Sequence, residues 1–337
     1  MSELRRDPIV GRWVIIKTGG EAFAPGQYEE QDNTPHQVTT SPFAYGREQF
    51  TPPEVDVIRP GNTRPNSPGW QVRVVSNKFP ALKIEGTLDR RGVGMYDMSN
   101  GVGAHEVIIE TPDPVKQMAD FTPEEIQGVI RMYQSRCINL AKDRRFKYIM
   151  VFKNFGVSAG TSLDHAHSQV IALPMVPKIV QEKLEGSRAY FAYRGRSVYQ
   201  DILQQEYADA KRIVAQNEHF ILFCPVVPRY SFECWILPKK SDSRFVELSG
   251  DEQYHLARIL KEGLWRLKKC LGNPAYNFYL HISPVNYEYE ESFLWHIEIV
   301  PQLTRVAGFE WATGMYVVYT PPEEAAGHLR AVKYPEG

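Results

Sequence analysis

Apolar residues recur at helical spacing in two places along the chain. After Thr122-Pro123-Glu124-Glu125 they fall at Ile126, Ile130, Tyr133, Cys137 and Leu140. After Ser249-Gly250-Asp251-Glu252 they fall at Leu256, Ile259, Leu260, Leu264, Leu267 and Leu271. Each stripe opens on a hydroxyl residue with Glu three positions later, the signature of a capping box, and the first adds Pro at the first helical position. Two amphipathic helices, 127 positions apart, are predicted. β-rich runs flank both at nearly the same interval: Glu106-Val107-Ile108-Ile109 and Glu233-Cys234-Trp235-Ile236 before them, Lys147–Phe152 and Tyr276–Leu280 after them. Each copy then ends in a short run bearing histidine, His167-Ser168-Gln169 and His296-Ile297-Glu298. Four matching intervals predict one strand–helix–strand–strand unit used twice, hence an α+β protein of two similar halves whose sheets can join. The boundary falls near residue 175, giving halves 1–175 and 176–337. Residues 18 to 70, rich in Pro, Gly, Asn and Gln, read as long surface loops with short strands, and 175 to 212 as a helical link.

Composition narrows the function classes. Of 337 residues 43% are hydrophobic and 23% charged, which excludes disorder as the global state. Lys and Arg number 39 against 40 Asp and Glu, so the chain lacks the general basic field of a nucleic-acid binder. No apolar run approaches the roughly 18 residues of a spanning helix, and Met-Ser-Glu-Leu-Arg-Arg-Asp at the N-terminus has no apolar signal core. A cytoplasmic protein without a membrane or nucleic-acid partner is expected. Cys137, Cys224, Cys234 and Cys270 form no Cys-x-x-Cys pair, and Cys137 and Cys270 sit on helical apolar stripes as buried thiols.

The densest chemistry lies in Asn154-Phe155-Gly156-Val157-Ser158-Ala159-Gly160-Thr161-Ser162-Leu163-Asp164-His165-Ala166-His167-Ser168-Gln169. On a strand, His165, His167 and Gln169 project to one side. The small-residue loop before them, with Gly156, Gly160, Thr161 and Ser162, lets backbone N–H groups approach an anion and adds hydroxyl donors. A lone His-x-His is more often structural or a metal ligand, and a small-residue loop is more often an ordinary turn. Together they offer a nucleophilic imidazole beside a phosphate cradle, the arrangement that transfer at phosphorus needs.

Gly160-Thr161-Ser162 followed by His165-Ala166-His167-Ser168-Gln169 resembles the active-site strand of galactose-1-phosphate uridylyltransferases, the His-x-His-x-Gln branch of the histidine triad superfamily. Arg5-Arg6-Asp7-Pro8-Ile9-Val10-Gly11-Arg12-Trp13-Val14 resembles that family's opening segment, Asn77-Lys78-Phe79-Pro80 its nucleotide-side loop, and Gly103-Ala104-His105-Glu106-Val107 its next strand. In the C-terminal half, Trp295-His296-Ile297-Glu298 and Ala307-Gly308-Phe309-Glu310-Trp311 resemble most the branch that includes ADP-glucose phosphorylases. The resemblance implies a duplicated histidine-triad-like fold, mainly antiparallel sheets with helices packed on them. It implies His167 as the nucleophile that carries the nucleotidyl group. Asn154, Gly160, Thr161, Ser162 and Gln169 then hold phosphates, Asn77 lies near the nucleoside and Glu310 holds the hexose. The leaving sugar phosphate, with a second pKa of about 6, departs without a general acid, so a neutral amide at Gln169 serves better than a third histidine.

The chain also departs from the family pattern. Two cysteine ligands of a structural zinc align with Ser41 and Ala44, while His105 and His165 remain at the other two ligand positions. Zinc is therefore expected to be absent or poorly held. A pair of arginines that reaches a neighbouring subunit is replaced within Glu21-Ala22-Phe23-Ala24-Pro25, and a Gln six residues past Glu310 is Tyr316. A second metal site of some members would retain His281 and His296 but has Leu294 where another histidine stands. The expected activity is UDP-glucose–hexose-1-phosphate uridylyl transfer by a ping-pong route, with nucleotide sugar and sugar phosphate as partners and a homodimer as the assembly. Two alternatives stand beside it: ADP-glucose phosphorylase, and a catalytically weakened nucleotide-binding protein.

Overall fold

The computed structural model describes residues 2–29, 33, 41–285 and 291–335. The first half contributes β1 (Ser2–Arg6), β2 (Trp13–Lys17), β3 (Glu54–Ile58), β4 (Val72–Ser76), β5 (Arg91–Val93), β6 (Tyr96–Met98), β7 (Ala104–Ile109), α1 (Pro123–Leu140), β8 (Tyr148–Phe155) and β9 (His167–Leu173). Then come α2 (Lys178–Arg194), α3 (Val198–Asp209), β10 (Ile213–Gln216), β11 (Phe220–Phe223), β12 (Cys234–Pro238), α4 (Gly250–Cys270), β13 (Tyr276–His281) and β14 (His296–Pro301). The chain closes with α5 (Gly308–Thr313), β15 (Val317–Val318) and α6 (Pro322–Ala331).

Both capping boxes form. Thr122 Oγ1 accepts from Glu125 N–H at 3.3 Å while the Glu125 carboxylate accepts from Thr122 N–H at 2.6 Å. Ser249 and Glu252 repeat the exchange at 3.2 and 2.8 Å. The apolar stripes of α1 and α4 pack on one side of a ten-stranded antiparallel sheet, whose order is β10-β11-β12-β14-β13-β8-β9-β7-β4-β3. Read outward from its centre, each half has the same plan: β8, β9, β7, β4, β3 on one side and β13, β14, β12, β11, β10 on the other. The two halves join where β8 pairs with β13, Asn154 facing Asn277. The sheet is continuous because both of these strands are the innermost of their copies.

The other sheet face is covered differently in the two halves. Over β11, β12 and β14, helices α2 and α3 supply Val180, Leu184, Val198, Tyr199 and Leu203 to a second core with Ile221, Phe223, Trp235 and Leu237. Over β4 and β7 the cover is loop: Phe43 and Trp70 pack on Val75, Val107 and Ile109. Replacing a helix by a loop leaves room above β9. A small sheet, β1-β2-β15, lies apart from the main one, and the segment that lacks the arginine pair docks near it, Phe23 stacking on Tyr319 at 4.9 Å. Cys224 and Cys234, distant from any thiol motif, come within 3.8 Å as buried free thiols. Among the described residues no helix is long and apolar enough to cross a membrane.

Candidate active site

Strand β9 starts at His167, so His165 lies in the turn before it rather than on the strand face the alternation suggests. His167 and Gln169 do share a face, the one turned away from α1, opposite Ile109 and Val107 of β7. The loop ahead of them is shaped by two glycines with left-handed backbone, Gly156 at φ +83° and Gly160 at φ +84°. At Gly156 a Cβ would lie 2.6 Å from the Ala275 Cβ and 2.4 Å from Asn33 Oδ1, so only glycine fits. The cleft between this loop and β9 is lined by Asn33, Lys153, Asn154, Gly156, Thr161, His165 and His167, among others. Asn154 is held by Asn277 Nδ2, which donates to its Oδ1 at 2.7 Å. Thr161 Oγ1 donates to the Leu163 carbonyl at 2.9 Å.

Hydrogen bonding fixes the tautomer of His167. Its Nδ1 lies 2.8 Å from the His165 carbonyl, which can only accept, so Nδ1 carries the proton and Nε2 keeps its lone pair. His167 is 6% exposed, and its pKa is pushed down to about 4, first by burial and then by the nearby Lys153 ammonium. The imidazole is thus neutral and oriented, with no hydrogen-bond partner at Nε2 among the described residues.

Behind β9 lies a polar network of residues that the sequence analysis does not single out. Lys153 Nζ, 1% exposed, donates to Glu110 Oε2 at 2.7 Å and to the His167 carbonyl at 3.0 Å. Glu110 Oε1 accepts from Tyr133 OH at 3.2 Å and from Ser168 Oγ, and those two hydroxyls bond each other. The signal was present: Lys153 stands on the inward parity of β8, between Val151 and Phe155.

On the other flank His105 joins Asn77 and Gln169. Its Nδ1 accepts from Ala81 N–H at 3.1 Å, so its Nε2 carries the proton, donating to Gln169 Oε1 at 2.8 Å; Asn77 Nδ2 lies 3.1 Å from the same nitrogen. With its oxygen engaged, Gln169 has its amide NH2 available to an anion. His165 Nε2 bonds the Thr111 carbonyl at 2.7 Å and therefore carries the proton, leaving Nδ1 to accept from Ser41 Oγ at 2.9 Å. The zinc that the resemblance implies does not fit here. Both imidazoles are turned to protein partners, Ser41 keeps its hydroxyl proton, and Ala44 has no donor. Hydrogen bonds and the Phe43 ring, 5.9 and 5.5 Å from the His165 and His167 rings, hold this corner instead.

Of the expected site residues, Asn154, Thr161 and His167 line this cleft, while Asn77, Gly160, Ser162, Gln169 and Glu310 do not. Ser162 is exposed on the loop. Glu310 closes the first turn of α5, accepting from Ala307 N–H at 2.8 Å and from Val317 N–H at 3.2 Å. Its carboxylate ties α5 to β15, outside the cleft in this chain.

A duplicated antiparallel sheet carrying a buried neutral imidazole beside a glycine-shaped loop is an arrangement compatible with a nucleotidyltransferase. Comparison with known proteins agrees. The profile of the galactose-1-phosphate uridyl transferase N-terminal domain matches residues 1–177, and that of a domain of unknown function, DUF4921, matches residues 103–331. The ADP-glucose phosphorylase of Arabidopsis thaliana is 34% identical over 98% of this chain and 93% of its own. The galactose-1-phosphate uridylyltransferase of Thermotoga maritima is 26% identical over 98% of each. Among solved structures, the Arabidopsis thaliana ADP-glucose phosphorylase with bound ADP-glucose superposes with a TM-score of 0.82 at 33% identity, covering 99% of this chain and all of that one. The chain belongs to the galactose-1-phosphate uridylyltransferase family.

Proposed function

We propose that this protein moves a nucleoside monophosphate from a nucleotide sugar to a phosphate acceptor through a covalent adduct on His167. The observation that carries the reading is the His167 ring: Nδ1 is committed to the His165 carbonyl, the residue lines the cleft, and Nε2 has no hydrogen-bond partner among the described residues. Nε2 attacks the α-phosphorus, an N–P bond forms, and the bond to the bridging oxygen breaks with its electrons leaving on the hexose 1-phosphate. The acceptor phosphate then attacks the same phosphorus and restores the imidazole. The Gln169 amide NH2 is the donor offered to the phosphoryl oxygens, while the N–H groups of Ala159, Gly160 and Thr161 are spent on the carbonyls of Gly156 and Val157 and hold the loop in shape. The His165 carbonyl supports the positive charge that develops on the ring.

Within this chemistry we favour adenylyl transfer from ADP-glucose to orthophosphate, giving ADP and glucose 1-phosphate. Whole-chain similarity at 34% to a phosphorylase of that name, against 26% to a uridylyltransferase, supports it over uridylyl transfer to a hexose 1-phosphate. The test is to incubate the protein with ADP-glucose or UDP-glucose, each with labelled orthophosphate or labelled hexose 1-phosphate. Phosphate-dependent ADP formation, lost in His167→Ala and partly kept in His165→Ala, is the expected result. Faster exchange of UDP-glucose with hexose 1-phosphate would reverse the preference. Binding without exchange would leave a nucleotide-binding protein only.

A further inference from the structure

The second copy of the fold has its own histidine strand, and the structure shows what became of it. His296 begins β14 as His167 begins β9, and its Nδ1 lies 2.9 Å from the Leu294 carbonyl, the counterpart of the His167 bond to the His165 carbonyl. Nε2 of His296 is therefore also a lone-pair nitrogen. Phe152 faces Gln169 in the first copy and Tyr279 faces Glu298 in the second, so Asn154 and His281, two residues further on, hold corresponding places. The counterpart of Asn154, His167 and Gln169 is thus His281, His296 and Glu298. These three are fully buried, with donor atoms within 4.8 Å of one another, a set of two imidazoles and a carboxylate suited to a divalent metal. His281 Nδ1 has no hydrogen-bond partner among the described residues. The Leu294 side chain has no donor atom, and the third donor beside the two imidazoles is Glu298.

A metal does not fit the set as it stands. Lys183 reaches in from α2, on the buried stripe of Val180, Leu184 and Ser187. Its Nζ lies 2.8 Å from His296 Nε2 and donates to Glu298 Oε1. It also sits 5.2 Å from the centroid of the Trp235 ring. A zinc ion needs the same two atoms at about 2.0–2.2 Å, so ion and ammonium exclude each other. Charge agrees with distance. Arg229 bonds Glu298 Oε2 at 2.5 Å and Glu233 at 3.1 Å, so two cations already balance two carboxylates. A divalent ion added to that balanced, buried group would be uncompensated.

We infer that Lys183 is a built-in cation that closes a latent metal site in the second copy, at the place where the first copy keeps an open cleft. The inference does not depend on the reaction proposed above. Its test uses metal alone: wild type, His281→Ala, Lys183→Ala and Lys183→Ala/His281→Ala are incubated with excess zinc, desalted and assayed for bound metal. Wild type should retain none that His281→Ala removes. Lys183→Ala should retain about one zinc per chain, with a melting temperature raised by zinc, and the double variant should lose both effects. Stoichiometric metal in wild type that disappears in His281→Ala would overturn the inference. So would a folded Lys183→Ala, judged by circular dichroism, that takes up no zinc. Should Lys183→Ala not fold in the absence of metal, refolding with and without zinc gives the same reading: recovery only with zinc supports the inference, and no recovery in Lys183→Ala alongside a foldable Lys183→Met counts against it.

Discussion

The protonation of His167 offers the sharpest measurement. Two features oppose the charged ring: burial beside Phe43 and the Lys153 ammonium held by Glu110. Both act in the same direction, so the pKa moves down from the ordinary histidine value of about 6.5 to about 4. The consequence is largest between those values. At pH 5.5 a ring that titrates at about 4 is roughly 97% neutral, whereas an unperturbed one is roughly 9% neutral, a tenfold difference in competent nucleophile. The assay is heteronuclear NMR of the His167 ring from pH 8 to 4, paired with kcat/KM of nucleotidyl exchange over the same range. The acid limb of the rate should follow the NMR midpoint and lie far below 6.5. The sign for stability is the same: the unfolded chain takes up this proton as pH drops below about 6.5, the folded one only near 4, so about 3 kcal/mol of stability is present above the first value and lost on descent through the second. Lys153→Met removes the cation and should move the midpoint upward. A wild-type midpoint between 6 and 7, or a midpoint unmoved in a folded Lys153→Met, would refute the reasoning.

Other outcomes are expected from individual contacts. Lys153→Met should lower unfolding free energy by about 3–5 kcal/mol because Glu110 is left buried and unpaired, and adding Glu110→Leu should recover part of it in chemical denaturation. Gly156→Ala meets both a positive φ and contacts of 2.4 and 2.6 Å, so exchange activity should fall with the loop's geometry even where the melting curve stays cooperative. Thr122→Ala and Ser249→Ala each remove one half of a capping box and should each cost about 1 kcal/mol, additively, in urea titrations. At the Ser41 corner, metal analysis should find no more zinc in wild type than in His105→Ala; a stoichiometric ion lost in that variant would contradict the tautomers assigned here.

Much of the fold was legible because local signals agreed with one another. Capping boxes at Thr122 and Ser249 marked the helices, and the recurrence of flanking strands and histidines marked the duplication. The pairing of β8 with β13 was not legible, since nothing in either strand names its neighbour across the gap between copies. Of the site, the run Asn154–Gln169 stood out by its histidines and small residues, whereas the roles proposed for Asn154, Ser162 and Glu310 came from the family resemblance. Where Ser162 and Glu310 come to rest was not legible, because it depends on the placement of a loop and a short helix. Lys153 and Lys183 were missed for one shared reason. Each is a cation on an apolar periodicity, Val151-x-Phe155 in β8 and Val180-x-Leu184 in α2, and a reading that searches for loops and histidines passes over them. A lysine on a buried stripe must find a carboxylate, and here Glu110, just past the end of β7, and Glu298 of β14 supply it.

The comparison between copies separates what makes the site from what merely accompanies it. Both histidine strands keep the backbone carbonyl that fixes the ring, so this bond alone does not give a reactive centre. What differs is the cover. Over β9 a loop carrying Phe43 leaves a cleft, and the cation nearest the nucleophile lies behind the strand, where Lys153 holds the His167 carbonyl and discourages protonation without touching Nε2. Over β14 a helix lies across the same face, and its Lys183 bonds Nε2 directly. One ammonium thus keeps a lone pair available and the other uses it up. On the proposed reading, a cation behind the strand leaves Nε2 of His167 to the substrate, whereas a cation in front of it makes Nε2 of His296 a structural acceptor.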